Sequence, residues 1–305
     1  MNKVSNSPKL VIVGTTAAGK SSVAMEVARS VKNIEIISVD SMQIYRGMDI
    51  GTAKPTRDEL AEIPHHMIDI VDPEDEYTIS QFQTQAEEVL KDIDQRSTYP
   101  LLVGGTGLYL RSILDKLTIP NQYPKVLKEI SKESDTAKLH KHLDELDPLA
   151  ASRMEKNNRR RILRALEVSI GSGKPFSSFG PGLDKYPKTD FKVFGLRWSR
   201  EAINERITQR YKDQLEEGFL DEVEKLFNSG KTVSRTAAQA LGYKHFYKYL
   251  KGEVGFDDAL NHAITDTRKF ARKQERWFRR DPRICWVDIV GNPLEAVPVL
   301  MKEYE

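Results

Sequence analysis

Eight residues constrain this chain more than any others. Gly14-Thr15-Thr16-Ala17-Ala18-Gly19-Lys20-Ser21 fits G-x-x-x-x-G-K-[ST] and lies between an apolar run at 10–13 and an amphipathic run reaching about residue 30. A strand that feeds such a loop into a helix makes a diphosphate cradle. Its glycines permit the turn that aims backbone N–H groups inward, and the helix N-terminus adds partial positive charge. Lys20 can neutralise terminal phosphoryl oxygens and Ser21 can ligate Mg²⁺. The alternative is a tight strand-to-helix turn without a ligand. The loop leaves open whether the phosphates belong to a nucleotide or to a leaving group.

The rest of the chain fits an α/β fold, a P-loop NTPase-like core with a mostly parallel sheet flanked by helices. A second β-branched run, 34–39, ends at Asp40, and a third, 101–103, enters Gly104-Gly105-Thr106-Gly107. Strand signals return at 191–198 and 285–290, and the spacing predicts helices over 78–95, with Thr78 and Gln81 as a capping box, and over about 256–280. In an open parallel sheet the carboxyl ends of the strands face the ligand crevice, so Asp40 should lie near the phosphate loop. It could serve as a metal-linked carboxylate, a general base, or a cap. Thr106 could be a helix N-cap or a ligand contact. Between 118 and 189 the β signal disappears, leaving an inserted helical lobe, with the core formed by 1–117 and 190–305.

One cysteine, Cys285, excludes an internal disulfide and a cysteine-based zinc site. Adjacent His65 and His66 point different ways on a regular backbone, which favours a loop-ordering role over a metal. No apolar run approaches the roughly 18 residues of a membrane span. A cytoplasmic protein with no membrane partner is expected, a monomer being the simplest state. The net charge of +2 conceals an asymmetry: residues 57–96 hold twelve acids and three bases, a net of −9, so the remainder carries +11. Bases gather at 153–164, including Arg160, Arg161 and Arg164, and at 268–283. Such blocks suit a polyanion such as nucleic acid, or a solvated helix face. Arg268, Arg272, Arg276 and Arg279 fall on one helical face, where an anionic ligand, water or acids from 57–96 could meet them.

With these residues, the chain resembles the tRNA dimethylallyltransferases, also called isopentenyl-tRNA transferases, over nearly its whole length. The likeness rests on Gly14 to Ser21, Ile37-Ser-Val-Asp-Ser41, Ile44-Tyr-Arg-Gly-Met-Asp-Ile-Gly-Thr-Ala-Lys-Pro55, and the segment Pro64-His-His-Met-Ile-Asp-Ile-Val-Asp-Pro73. Further support comes from Leu102-Val-Gly-Gly-Thr-Gly-Leu-Tyr109, Arg160-Arg-Ile-Leu-Arg-Ala-Leu-Glu167, Leu241-Gly-Tyr243 and residues 267–277. The block 44–55 is absent from ordinary nucleotide kinases.

The resemblance implies transfer of a dimethylallyl group from dimethylallyl diphosphate to N6 of the adenosine 3′ of the anticodon, without ATP consumption. It implies that Gly14, Thr15, Thr16, Ala17, Ala18, Gly19, Lys20 and Ser21 hold the diphosphate with Mg²⁺, and that Asp40 is the general base. Thr106 and Arg210 would contact the diphosphate or reacting site. Asp40, Ser41, Met42 and Gln43 would hold the acceptor base, which the family flips into a channel, and Arg160, Arg161, Ile162, Leu163 and Arg164 would contact the tRNA anticodon stem-loop through the inserted lobe. Departures from the family pattern are Thr15 where proline is usual, Ala18 where a small polar or branched residue is common, and Arg276 where threonine is frequent. No zinc-finger extension follows the last helix, so a bacterial-type form is expected. A small-molecule kinase, requiring ATP turnover, and a nucleotide-switched RNA-binding protein, making no product, are the competing readings.

Overall fold

The computed structural model describes residues 8–305. The chain divides into two compact units, one formed by residues through Asp115 together with Lys188–Glu305 and the other by Lys116–Pro187. In the first unit the strands are β1 (Lys9–Gly14), β2 (Ile34–Val39), β3 (His65–His66), β4 (Tyr99–Gly104), β5 (Phe191–Arg197) and β6 (Ile284–Asp288). All pairings are parallel, in the order β3-β2-β4-β1-β5-β6. Strands β1, β2 and β4 are buried along almost their whole length, which is why they read as continuous apolar runs rather than alternating ones.

Helices α1 (Lys20–Ser30), α2 (Arg57–Glu62), α3 (Ile79–Arg96) and α4 (Gly107–Leu114) follow the first strands. Thr78 does form the capping box with Gln81 that opens α3. The lobe holds α5 (Pro124–Ile130), α6 (Thr136–Leu146), α7 (Pro148–Ser152) and α8 (Arg159–Ser172) around a core of Leu139, Leu143, Ala150, Ala151, Ile162, Ala165 and Leu166. Its buried Asp147 accepts hydrogen bonds from the backbone N–H of Ala150 and from both the N–H and hydroxyl of Ser177. After the lobe come α9 (Arg200–Glu216), α10 (Phe219–Phe227), α11 (Tyr243–Leu250), α12 (Phe256–Phe278) and α13 (Val297–Met301). Among the described residues no helix is long and apolar enough to cross a membrane.

The histidine pair is a correction. Residues 65–66 form the edge strand β3 rather than a loop, in register with Ile36 and Ile37. His66 meets the buried Glu35 of β2 at 2.7 Å, and Glu35 also binds Arg96 and Thr98, so this carboxylate in the sheet is fully paired. His65 Nδ1 meets the Ile63 carbonyl at 2.7 Å.

Sheet closure at the site depends on Gly104, which is paired across to both Val13 and Val39. A Cβ there would overlap the Val39 carbonyl. Gly104→Ala should therefore part β2 from β4 and cost about 1–3 kcal/mol, the range for inserting one methyl into a packed core. Urea unfolding of the variant checks this, and an unchanged midpoint would contradict it.

Candidate active site

The carboxyl ends of β2, β4 and β1 stand side by side and carry Asp40, the Gly104–Gly107 turn and the phosphate loop respectively. At the end of the loop Gly19 has φ 83°, in the left-handed region, and a Cβ would run into Pro293. Val23 N–H to Gly19 O is the first bond of α1, so the preceding helical N–H groups have no intrahelical acceptor and remain available to an anion.

Side chains from outside the loop occupy its carbonyls. Arg206 Nε donates to Ala17 O at 2.7 Å and the Trp198 indole donates to Ala18 O at 3.0 Å. The Arg206 guanidinium lies over the Trp198 ring, 4.5 Å from its centroid. Arg210 Nη1 donates to Thr16 Oγ1 at 3.1 Å, and Lys20 Nζ donates to Thr15 O at 2.8 Å. Gln274 accepts the Thr16 N–H at 2.8 Å and donates to Gly105 O at 2.9 Å. With donors on the carbonyls of 15, 17 and 18, the loop's negative ends are neutralised and its field is left positive.

Asp40 Oδ1 accepts the Met42 N–H at 2.8 Å, and its second oxygen makes no hydrogen bond among the described residues. Thr106 stands at the N-cap position of α4, but its hydroxyl makes no capping bond. Its hydroxyl accepts the Ser41 N–H at 3.2 Å, tying the turn after β4 to the segment after β2. Gln43 accepts from the Ser38 hydroxyl and donates to Ala53 O at 3.0 Å. The wall at 49–54 is anchored twice: Glu222 accepts the N–H groups of Asp49, Ile50 and Gly51 and the Tyr243 hydroxyl, while Lys54 Nζ bonds Tyr45 O, Asp49 and Asp69. These anchors give structural roles to Asp49, Gly51 and Lys54 of the 44–55 block and to Tyr243 in Leu241-Gly-Tyr243.

Around these groups lies a cavity of about 970 Å³ lined by Thr16 to Ser21, Asp40, Gln43, Arg206, Arg210 and Gln274 among others. Removal from water pulls the Lys20 pKa down to about 8, with Asp40 opposing and Arg210 assisting. Burial likewise lowers that of Arg210. Lys20, Arg210 and Asp40 thus face one space able to take a diphosphate together with a planar base. Gly14 and Thr15 line a separate small cavity, and Thr106, Ser41 and Met42 support the large cavity without lining it.

The basic segment of the lobe is less uniform than its sequence suggests. Arg160 and Arg161 are exposed, whereas Ile162 is fully buried in the lobe core and Leu163 is partly buried. Arg164 is spent on structure, donating to Pro120 O, Asn121 O and Glu167. Along α12, Arg268 donates to Asn204 O and Thr208 of α9, and Arg279 pairs with Glu275 of its own helix. No acid of 57–96 meets that face among the described residues. Gln274, Arg206 and Trp198 were not singled out from the sequence as loop clamps. Arg206 and Gln274 act as clamps because α9 and α12 pack together, and Trp198 because the segment after β5 meets the loop; Arg206 and Arg210, four residues apart, share one face of α9.

Residues 43–281 match the family described as IPP transferase. The chain belongs to the IPP transferase family. A protein of Carboxydothermus hydrogenoformans named tRNA dimethylallyltransferase is 42% identical over 294 residues, 94% of each chain. A tRNA delta(2)-isopentenylpyrophosphate transferase from Staphylococcus epidermidis superposes with a TM-score of 0.71 at 34% identity, over 97% of this chain and 99% of that one. A eukaryotic dimethylallyltransferase described as acting on tRNA superposes with a TM-score of 0.78 at 29% identity, over 92% of this chain and 74% of that one. The fold is therefore that of the solved IPP transferases, and the P-loop architecture expected from the sequence is present.

In this IPP transferase chain the described residues include no group of three or more His, Cys, Asp or Glu able to hold a metal. Ser21 lines the cavity, exposed, with a hydroxyl that bonds no protein group among the described residues. That donor set suits a Mg²⁺ ion held by one protein oxygen, diphosphate oxygens and water, as Mg²⁺ prefers, and no all-protein cage.

The Lys20 value fixes a pH signature. Below about 8 the amine is protonated with or without ligand. Above it the free protein holds a neutral amine, which a bound diphosphate recharges. Affinity for a diphosphate monoester should fall as pH rises through about 8, with proton uptake appearing there. Calorimetry in buffers of different ionisation enthalpy measures the uptake, which Lys20→Arg, permanently charged, should abolish. Equal uptake by both proteins would contradict the assignment.

Proposed function

We propose that this chain transfers the dimethylallyl group of dimethylallyl diphosphate to N6 of the adenosine immediately 3′ of the anticodon in tRNA, releasing diphosphate. The observation that carries the reading is the single cavity in which the phosphate loop, Lys20 and Arg210 face the same space as Asp40. The family membership and the names of its relatives supply the substrate classes.

The cavity's residues divide the chemistry between them. N–H groups at the start of α1, with Lys20 and Arg210, bind the diphosphate and stabilise the negative charge that grows on it as the C1–O bond breaks and the electron pair leaves with the phosphate. Ser21 would hold Mg²⁺ together with phosphate oxygens, and the ion would supply positive charge beside the leaving group. The adenine amine is a weak nucleophile, and bonding to C1 makes it a strong acid. Asp40, oriented by the Met42 N–H with one oxygen unpaired, receives the proton as the N6–C1 bond forms. Gln43, locked by Ser38 and the 52–53 carbonyls, shapes the wall against which the extruded base rests.

The lobe supplies affinity for the anticodon stem through the exposed Arg160 and Arg161, with the salt dependence of phosphate contacts. Ile162 and Arg164 act through the lobe's own packing, keeping α8 in place. The protein works as a monomer, and a tRNA substrate together with a single cysteine fits a cytoplasmic setting.

Incubation with radiolabelled dimethylallyl diphosphate, Mg²⁺ and unmodified tRNA, followed by nucleoside analysis, should place label on N6 of one adenosine. Asp40→Asn, which keeps the shape but cannot take the proton, should slow transfer by about 100- to 10,000-fold. Absence of label in the parent protein would overturn the reaction, and an unchanged rate in the variant would overturn the base.

A further inference from the structure

Resting on the reaction just described, a chain of four hydrogen bonds connects the two ends of the cavity. The Thr16 N–H donates to Gln274 Oε1 at 2.8 Å, and Gln274 Nε2 donates to Gly105 O at 2.9 Å. The adjoining Thr106 hydroxyl accepts the Ser41 N–H at 3.2 Å, and in the same segment Asp40 accepts the Met42 N–H at 2.8 Å. Donor cradle and base are thus tied through one side chain amide. We propose that Gln274 is a positioning residue for prenyl transfer, setting the separation between the diphosphate cradle and Asp40.

The surroundings of Gln274 argue for a fixed link. It is buried in the row Ala259, Ala263, Thr267, Ala271, Gln274 and Phe278, the inward face of α12. Both ends of its amide are satisfied, so no rotation exchanges them without leaving a buried donor facing a donor. The helix is itself braced: Thr267 meets the Tyr211 hydroxyl at 2.8 Å and Arg268 holds Thr208 at 2.9 Å, both on the α9 that carries Arg206 and Arg210. The turn after β4 is cut to fit it, since a Cβ at Gly105 would collide with Gln274 Nε2 and one at Gly107 with the Trp277 indole. The glycines of Gly104-Gly-Thr-Gly107 are thereby explained by close approach on three sides, from Val39, Gln274 and Trp277.

A residue of this kind changes the rate at which bound substrates react more than the affinity for either one. Gln274→Met retains length and loses both hydrogen bonds. Gln274→Glu retains the acceptor for Thr16 and loses the donor to Gly105. Single-turnover transfer with tRNA and dimethylallyl diphosphate saturating should slow by about 10- to 100-fold in the methionine variant, with Kd for dimethylallyl diphosphate and for tRNA within about threefold of the parent. The glutamate variant should slow transfer too, with its diphosphate affinity held. An unchanged rate constant in the reacting fraction would overturn the inference. So would a loss matched by weaker diphosphate binding or by fewer active sites, either of which marks a merely structural role. If the methionine variant does not fold, the glutamate variant carries the same expectation and the same contradiction. Parent protein that labels no tRNA would instead mark failure of the transferase reading, a separate result.

Discussion

The phosphate loop keeps its shape through hydrogen-bonding side chains that reach it from α9, α12 and the segment after β5, and the geometry of the cavity depends on that grip. Residues 15–18 are small, and only Ala18 among them is fully buried in the core. Arg206 on Ala17 O, Trp198 on Ala18 O, Arg210 on Thr16 Oγ1 and Gln274 on the Thr16 N–H hold them from several directions. Because α9 and α12 are bonded to each other through Tyr211–Thr267 and Arg268–Thr208, the clamps belong to one frame. A loop fixed in this way presents its N–H groups to an anion with little reorganisation, the condition under which electrostatic stabilisation is most effective.

Charge follows from the same arrangement. Lys20 and Arg210 are partly shielded from water in the cavity wall, with Asp40 as the carboxylate acting on both. Placing cations so is costly unless an anion joins them, and a diphosphate is the anion that matches the helix N-terminus beside them. The carboxylate that offsets part of this charge is the one proposed as the base, so in that proposal leaving-group binding and base function are linked electrostatically as well as through Gln274.

Much of this was legible in the residues, and the exceptions have physical reasons. Strands β1, β2 and β4 are apolar along their length because helices cover both sheet faces, and that made the parallel core and the positions of Lys20 and Asp40 readable. Strand β3 escaped notice because two residues, both histidine, carry no periodicity. Thr106 was open between capping and contact, and only the register of β2 beside β4 brings Ser41 to its hydroxyl. Arg164 looks like its neighbours Arg160 and Arg161 in a basic run, yet the turn of α8 aims it at the carbonyls of Pro120 and Asn121. Gln274 sits in a helix dense with bases, where one amide gives no signal until Thr16 and Gly105 are seen on either side of it.

The central claim is that one cavity orients an allylic diphosphate on the phosphate loop with its C1 before Asp40. A crystal structure with the non-hydrolysable thiolodiphosphate analogue of dimethylallyl diphosphate and Mg²⁺ tests it most directly. The diphosphate is expected on the N–H groups that open α1, within reach of Lys20 and Arg210, with the metal on Ser21 and C1 facing the unpaired oxygen of Asp40. A diphosphate bound elsewhere, or one bound in the cradle with its prenyl carbon turned away from Asp40, would contradict it.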